Sequence, residues 1–158
     1  NKSLHFFHHD MRQPLPKQYN LILNLFTSFG YFATNQEHQD TIQHIYNGLS
    51  NNGLFILDYL NTTYTLNHLK PQERIVRDDI TFDIKRELKN NRIIKTISFD
   101  YEGGNYVFTE QVAAFTLDDF KAMTQKAGFN LINNFGDYQL NPYHKEESPR
   151  LVMLFKKW

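Results

Sequence analysis

The chain contains no cysteine, which removes disulfide frameworks, thiolate nucleophiles and cysteine-ligated metals from consideration. It carries no surplus charge either: 17 Lys and Arg balance 17 Asp and Glu, with no long run of either sign. A dedicated nucleic-acid surface needs a basic patch or stripe, so no nucleic-acid partner is expected. No apolar run approaches the roughly 20 residues of a membrane-spanning helix, and no secretory signal precedes the first apolar segment. A cytoplasmic protein without membrane contact is the expectation. The sequence also lacks an initiator methionine. Asn1-Lys2-Ser3 runs straight into Leu4-His5-Phe6-Phe7-His8, which reads as a chain cut from a longer one.

Aromatic side chains are what the sequence has in quantity: 14 Phe, 9 Tyr and one Trp, 15% of the chain. Large rings favour strands and line small-molecule pockets, and a β-rich core explains most of them. The length suits one domain with a sizeable core.

The stretch Tyr19–Phe32, YNLILNLFTSFGYF, organises the rest. Tyr19–Leu25 reads as a buried parallel strand, apolar on both faces. It breaks into Thr27-Ser28, then Gly30 between aromatics. Ligands of open α/β sheets bind beyond the carboxyl ends of the strands, so this break reads as the floor of a site. Upstream, Leu4–His9 reads as a short strand running into Asp10-Met11-Arg12 and a proline loop. Downstream, Thr34 with Glu37 makes a capping box, and Ile42, Ile45, Tyr46 and Leu49 form the stripe of a sheet-facing helix. Asn51-Asn52-Gly53 is expected to close that helix in a left-handed cap, before a strand over Gly53–Tyr59. Strand, helix, strand here predicts a parallel crossover.

From about Glu73 to Phe115 the period becomes two. Three strands are expected, around Phe82–Leu88, Ile93–Tyr101 and Tyr106–Val112, turned by Asn90-Asn91 and Gly103-Gly104. A second helix is predicted over Leu117–Ala127, capped by Thr116 and stopped by Gly128. Strands over Phe129–Asn133, continuing toward Tyr138, and over Arg150–Lys157 follow, joined by a loop and therefore antiparallel.

The order strand, DMR, strand, SFGYF, helix, NGLFILDYLN, β insertion, helix, AGF, strand, SPRL, strand resembles class I S-adenosylmethionine-dependent methyltransferases. It is most similar to the small-molecule branch holding the aminosugar N-methyltransferases and the glycine N-methyltransferase type. The resemblance implies an α/β Rossmann-like sheet of order 3-2-1-4-5-7-6, with strands 3 to 7 present and the last antiparallel. It implies a methyltransferase-like domain at 1–72 and 116–158 and an inserted antiparallel β cap at 73–115. By position, Asp10 would reach the adenine amine and Met11 would supply a backbone amide. Leu25 and Phe26 would lie beneath the methionine moiety. The β cap covers the acceptor site in this branch and often joins a homodimer. The family's glycine-rich loop and its ribose-holding acid have no counterpart here. At about 30 residues per strand–helix–strand unit, roughly 60 or more residues would precede the chain.

The expected activity is methyl transfer from S-adenosylmethionine to a small-molecule amine or hydroxyl. The alternative is a non-catalytic fragment that folds by self-association. Tyr31, Tyr59 and Asn61 are the candidate acceptor-site residues. In-line displacement at a sulfonium needs positioning and dryness more than a strong base, so no catalytic residue is assigned. His5, His8 and His9 lack a completing carboxylate pair and read as ordinary histidines rather than metal ligands. Arg150, after Ser148-Pro149, is expected to pair with an acid in the sheet.

Overall fold

The structure is a computed structural model describing residues 4–158. Both long helices begin where a threonine stands three residues before an acid. Thr34 accepts from the Glu37 amide and opens α1 (Asn35–Gly48); Thr116 does the same with Asp119 and opens α3 (Leu117–Ala127). Each acid returns a bond to its threonine, so orphan amides at both helix starts are satisfied reciprocally. Gly128, at φ 103, ends α3 in the left-handed region as its sequence predicts.

The strands are β1 (Tyr19–Asn24), β2 (Leu49–Leu60), β3 (Gln72–Arg77), β4 (Ile80–Lys89), β5 (Arg92–Tyr101), β6 (Gly104–Ala113), β7 (Asn130–Phe135) and β8 (Arg150–Lys156). They form two four-stranded sheets, ordered β1-β2-β8-β7 and β3-β4-β5-β6. β1 and β2 are parallel across α1, while β8 runs antiparallel to both β2 and β7. The second sheet is antiparallel throughout.

The core lies between the first sheet and the two long helices. Phe55, Leu57 and Tyr59 of β2 and Leu151, Met153 and Phe155 of β8 meet Ile42 and Ile45 of α1 and Phe120 of α3. Phe29, Phe115, Phe120 and Tyr59 form its aromatic centre, with Tyr59 and Phe120 edge to face at 4.9 Å. Burying each such ring contributes about 1.5–3 kcal/mol.

Several expectations are corrected. Leu4–His9 is not a strand: these residues join neither of the two sheets. Asn1-Lys2-Ser3 lies outside the described residues. α1 ends without a left-handed cap, because Leu49 is fully buried and turns at once into extended backbone. Asn51-Asn52-Gly53 instead forms a bulge inside β2, with Asn52 at φ 61, between the pairs Tyr19↔Leu49 and Leu21↔Leu54. The meander has four strands rather than three, and its last turn is Glu102-Gly103 rather than Gly103-Gly104, since Gly104 already pairs with Tyr101. β3 was hidden because its alternation is carried by Glu73 and Ile75 among charges, and its turn is Asp78-Asp79, both at positive φ. A short helix, α2 (Thr62–Asn67), was also missed. Finally, β1 is apolar on both faces but buried on one. Leu21 and Leu23 are about half exposed, since no helix layer covers their side of the sheet among the described residues.

Candidate functional site

The chain leaves β1 in a tight turn whose two central residues, Phe26 and Thr27, sit at φ 58 and 57. A left-handed β-branched residue is uncommon, and here neither residue is glycine or asparagine. The turn is held from inside and outside. The Ser28 hydroxyl donates to the Leu25 carbonyl at 2.8 Å and toward Asn24 Oδ1 at 3.1 Å. The Thr27 N–H reaches the Asp58 carbonyl of β2 at 3.1 Å, and the Phe26 N–H reaches the Asp58 carboxylate at 2.7 Å. Phe26 itself projects outward, 75% exposed.

Gly30 follows at φ 100, and a Cβ there would lie 2.3 Å from the Tyr59 hydroxyl. Its carbonyl accepts the Ala113 N–H at 2.8 Å, which joins the turn segment to the end of β6. The Tyr59 hydroxyl donates to the Ala113 carbonyl at 2.6 Å, and burial raises its pKa well above the usual phenol range.

Between this turn, α2 and the inner face of the meander lies a cavity of about 600 Å³. Thr27, Tyr31 and Arg150 line one side, Tyr64 of α2 and His68 just after it another, and Lys95 and Glu110 the meander wall. Lys95 and Glu110 are 3.6 Å apart. Burial first, then the Glu110 charge, raises the Tyr31 phenol above its ordinary pKa. An exposed carboxylate beside a half-buried phenol can hold a cationic or hydroxyl-bearing molecule.

The candidate residues from the sequence fall into three places. Leu25, Phe26 and Tyr31 share the turn segment after β1. Asp10 and Met11 lie in the loop ahead of it, tied to α1: Arg12 bonds both Asp10 oxygens and, at 3.0 Å, Glu37. Hydrogen bonds from the Arg12 side chain, then its backbone N–H, hold the Asp10 carboxyl down at about 2. Tyr59 and Asn61 are buried and do not line this cavity. Asn61 donates to the carbonyls of Lys145 and Ser148 and accepts from the Tyr143 hydroxyl. Among the described residues, no cluster of His, Asp or Glu is arranged to hold a metal ion.

Asp58 is the residue the sequence reading overlooked, and Arg150 is the partner it expected without naming the acid. Arg150 reaches Asp58 Oδ1 with Nη2 at 2.6 Å and Nε at 2.9 Å. The signal was available. An acid inside the apolar run of β2 cannot be buried alone, and Arg150 opens β8 two registers away from it.

With this geometry in place, the fold resembles the class I S-adenosylmethionine-dependent methyltransferase fold. A methyltransferase of that dependence from Clostridium acetobutylicum is similar with a TM-score of 0.80 and 16% identity, over 94% of this chain and 63% of its own. The CcbJ methyltransferase of Streptomyces caelestis gives 0.79 and 13%, over 94% and 62%. CalS10, an amino pentose methyltransferase from Micromonospora echinaspora solved with S-adenosylmethionine, gives 0.63 and 14%, over 95% and 63%. The chain thus spans a little under two thirds of the length of these structures. No protein-family model and no curated protein sequence matches it.

Proposed function

We propose that this chain belongs to an S-adenosylmethionine-dependent methyltransferase that acts on a small-molecule amine or hydroxyl. The single observation that carries the reading is the rigid left-handed turn at the carboxyl end of β1, opening beside a cavity roofed by the meander. The order β1-β2-β8-β7 supports it by corresponding to strands 4, 5, 7 and 6 of that sheet. The two sheets share no strand, which supports the division into a methyltransferase-like part at 1–72 and 116–158 and a cap at 73–115.

The residues present fit one flank of the cofactor. Leu25 and Phe26 offer apolar surface to a thioether-like chain, and Asp10 offers an acceptor to an amine. That amine must share the carboxylate with Arg12, which already engages both oxygens. Met11 would add a backbone N–H. Bound there, S-adenosylmethionine would supply an electrophilic methyl. The chain's own task is to orient the acceptor and keep water out. Tyr31 and Glu110 line the cavity where an acceptor would lie, while Tyr59 and Asn61 are buried away from it.

Titrating S-adenosylhomocysteine into the 158-residue chain while following backbone amide resonances tests this reading. Saturable shifts confined to Met11 and Leu25–Thr27 are expected. Saturating shifts elsewhere, or none even when the upstream strands that the resemblance implies are supplied, would remove it.

A second reading is favoured by one specific observation, the uncovered apolar side of β1. Leu21, Leu23 and the unpaired outer edge of that strand offer a template for another chain, so a non-catalytic piece that folds by association would present the same surface. The homodimer expected from the sequence would use the meander instead. Phe82, Phe99, Tyr106 and Phe108 stack along one of its faces, with Phe99 and Tyr106 at 5.3 Å.

A further inference from the structure

Asp58 divides its two oxygens between two tasks. The carboxylate is 1% exposed, and both Arg150 contacts converge on Oδ1. That leaves Oδ2 to accept the Phe26 N–H at 2.7 Å and the Tyr138 hydroxyl at 2.9 Å. Arg150 Nη2 also lies 3.0 Å from the Thr27 hydroxyl, and the Asp58 carbonyl accepts the Thr27 N–H. Tyr138 closes the arrangement from outside, its ring edge-on to Phe26 at 6.4 Å with the Arg150 guanidinium over its face.

Phe26 and Thr27 have no local reason to adopt positive φ, since neither is a residue that tolerates it well. Ser28 closes the turn locally on the Leu25 carbonyl, and the bonds to Phe26 and Thr27 themselves come from β2 and β8, elements about 30 to 120 residues distant in sequence. A buried ion pair is poor evidence of stability, because taking two charges out of water costs about as much as their attraction returns. Its better-attested use is to specify one arrangement over others. Here the arrangement specified is the turn.

We propose that Asp58 and Arg150 are positioning residues for the proposed transfer, locking Phe26-Thr27 in the left-handed form so that Leu25 and Phe26 stand as a preformed platform for the cofactor. The proposal rests on the reading of Leu25 and Phe26 as cofactor contacts. It adds that Asp58, buried away from the cavity, and Arg150, which also lines it, set cofactor affinity through the turn.

Asp58→Asn is the informative change because it is isosteric. A carboxamide offers one oxygen and one NH₂, so it must either turn the NH₂ toward the Phe26 N–H or turn it toward the guanidinium. Arg150→Lys keeps the charge but cannot reach Oδ1 and Thr27 together. Three readouts on the ¹⁵N-labelled 158-residue chain follow: Phe26 amide exchange, the HN–Hα couplings of Phe26 and Thr27, and titration with S-adenosylhomocysteine. In Asp58→Asn the Phe26 amide should lose protection and both couplings should move, while the α3 amides keep their shifts. The titration should saturate about tenfold or more higher in concentration, the loss expected for charge-assisted bonds. Arg150→Lys should fall between, and it decides the matter alone if Asp58→Asn does not fold. A pair that merely stabilises the fold would lower the unfolding midpoint and leave the turn couplings and the affinity unmoved, which would overturn the proposal. If the wild-type chain shows no shift at Leu25–Thr27 on titration, with or without the upstream strands that the resemblance implies, the cofactor reading itself falls and the positioning role with it, whatever the variants do to the turn.

Discussion

His38 shows how a single side chain can be placed by burial alone. It is fully buried in the first turns of α1, ringed by Phe29, Phe32 and Phe115 at 5.2, 5.0 and 4.9 Å. Nδ1–H donates to the Thr34 carbonyl, and Nε2 has no hydrogen-bond partner among the described residues. Burial lowers its pKa, with Arg92 acting in the same direction and Glu37 against it. A depressed histidine is neutral when folded. As pH falls below the unfolded value of about 6.5, the unfolded chain takes up a proton that the folded chain refuses. Stability should therefore decline from pH 7.5 to 5.5, and urea unfolding of His38→Phe should show a shallower decline than the wild type. An unchanged slope would mean that His38 charges in place. Gly30 makes the opposite case, where backbone and space both demand the absence of a side chain. Gly30→Ala should cost about 2–5 kcal/mol, from positive φ combined with overpacking against Tyr59, measurable by the same unfolding experiment.

At the scale of elements, α3 was legible to the residue, because its capping threonine, acidic first turn and C-terminal glycine are local chemistry. Thr116→Ala should cost about 1 kcal/mol, the usual worth of such a cap. Phe120→Ala should cost about 3–5 kcal/mol, since a ring in the aromatic core leaves a cavity. If thermal unfolding ranks the two the other way, α3 is held by its cap rather than its face. The meander was legible as alternation over β4, β5 and β6, but not over β3, where the pairing partner rather than the residues makes the strand. Leu4–His9 failed for the converse reason: it has strand-like residues but joins neither sheet. α2 is only six residues long, too short to show a period.

For the molecule as a whole, apolar side chains stay exposed on the outer side of β1 and at the Tyr106–Phe108 end of the meander face whose other end, Lys95 and Glu110, walls the cavity. The proposed homodimer uses the second. Light scattering at micromolar concentration should give twice the chain mass for the wild type and a single chain mass for a Phe99→Ser, Phe108→Ser double variant. Retention of the dimer by that variant would move the interface to β1, where Leu23→Lys should then abolish it.

The sequence by itself determined what depends on near neighbours: the N-caps of both long helices, the parallel crossover around α1, the Asn90-Asn91 turn of the meander and the antiparallel final pair. It also required that Arg150 find an acid. Only the tertiary structure decided which acid, and that Asp58 would spend its second oxygen on holding Phe26. It alone buried Tyr59 and Asn61 away from the cavity and brought Glu110 beside Tyr31. These are contacts across 30 residues or more, set by how the strands and sheets pack, and no local pattern encodes a distance between strands that meet only after the chain has folded.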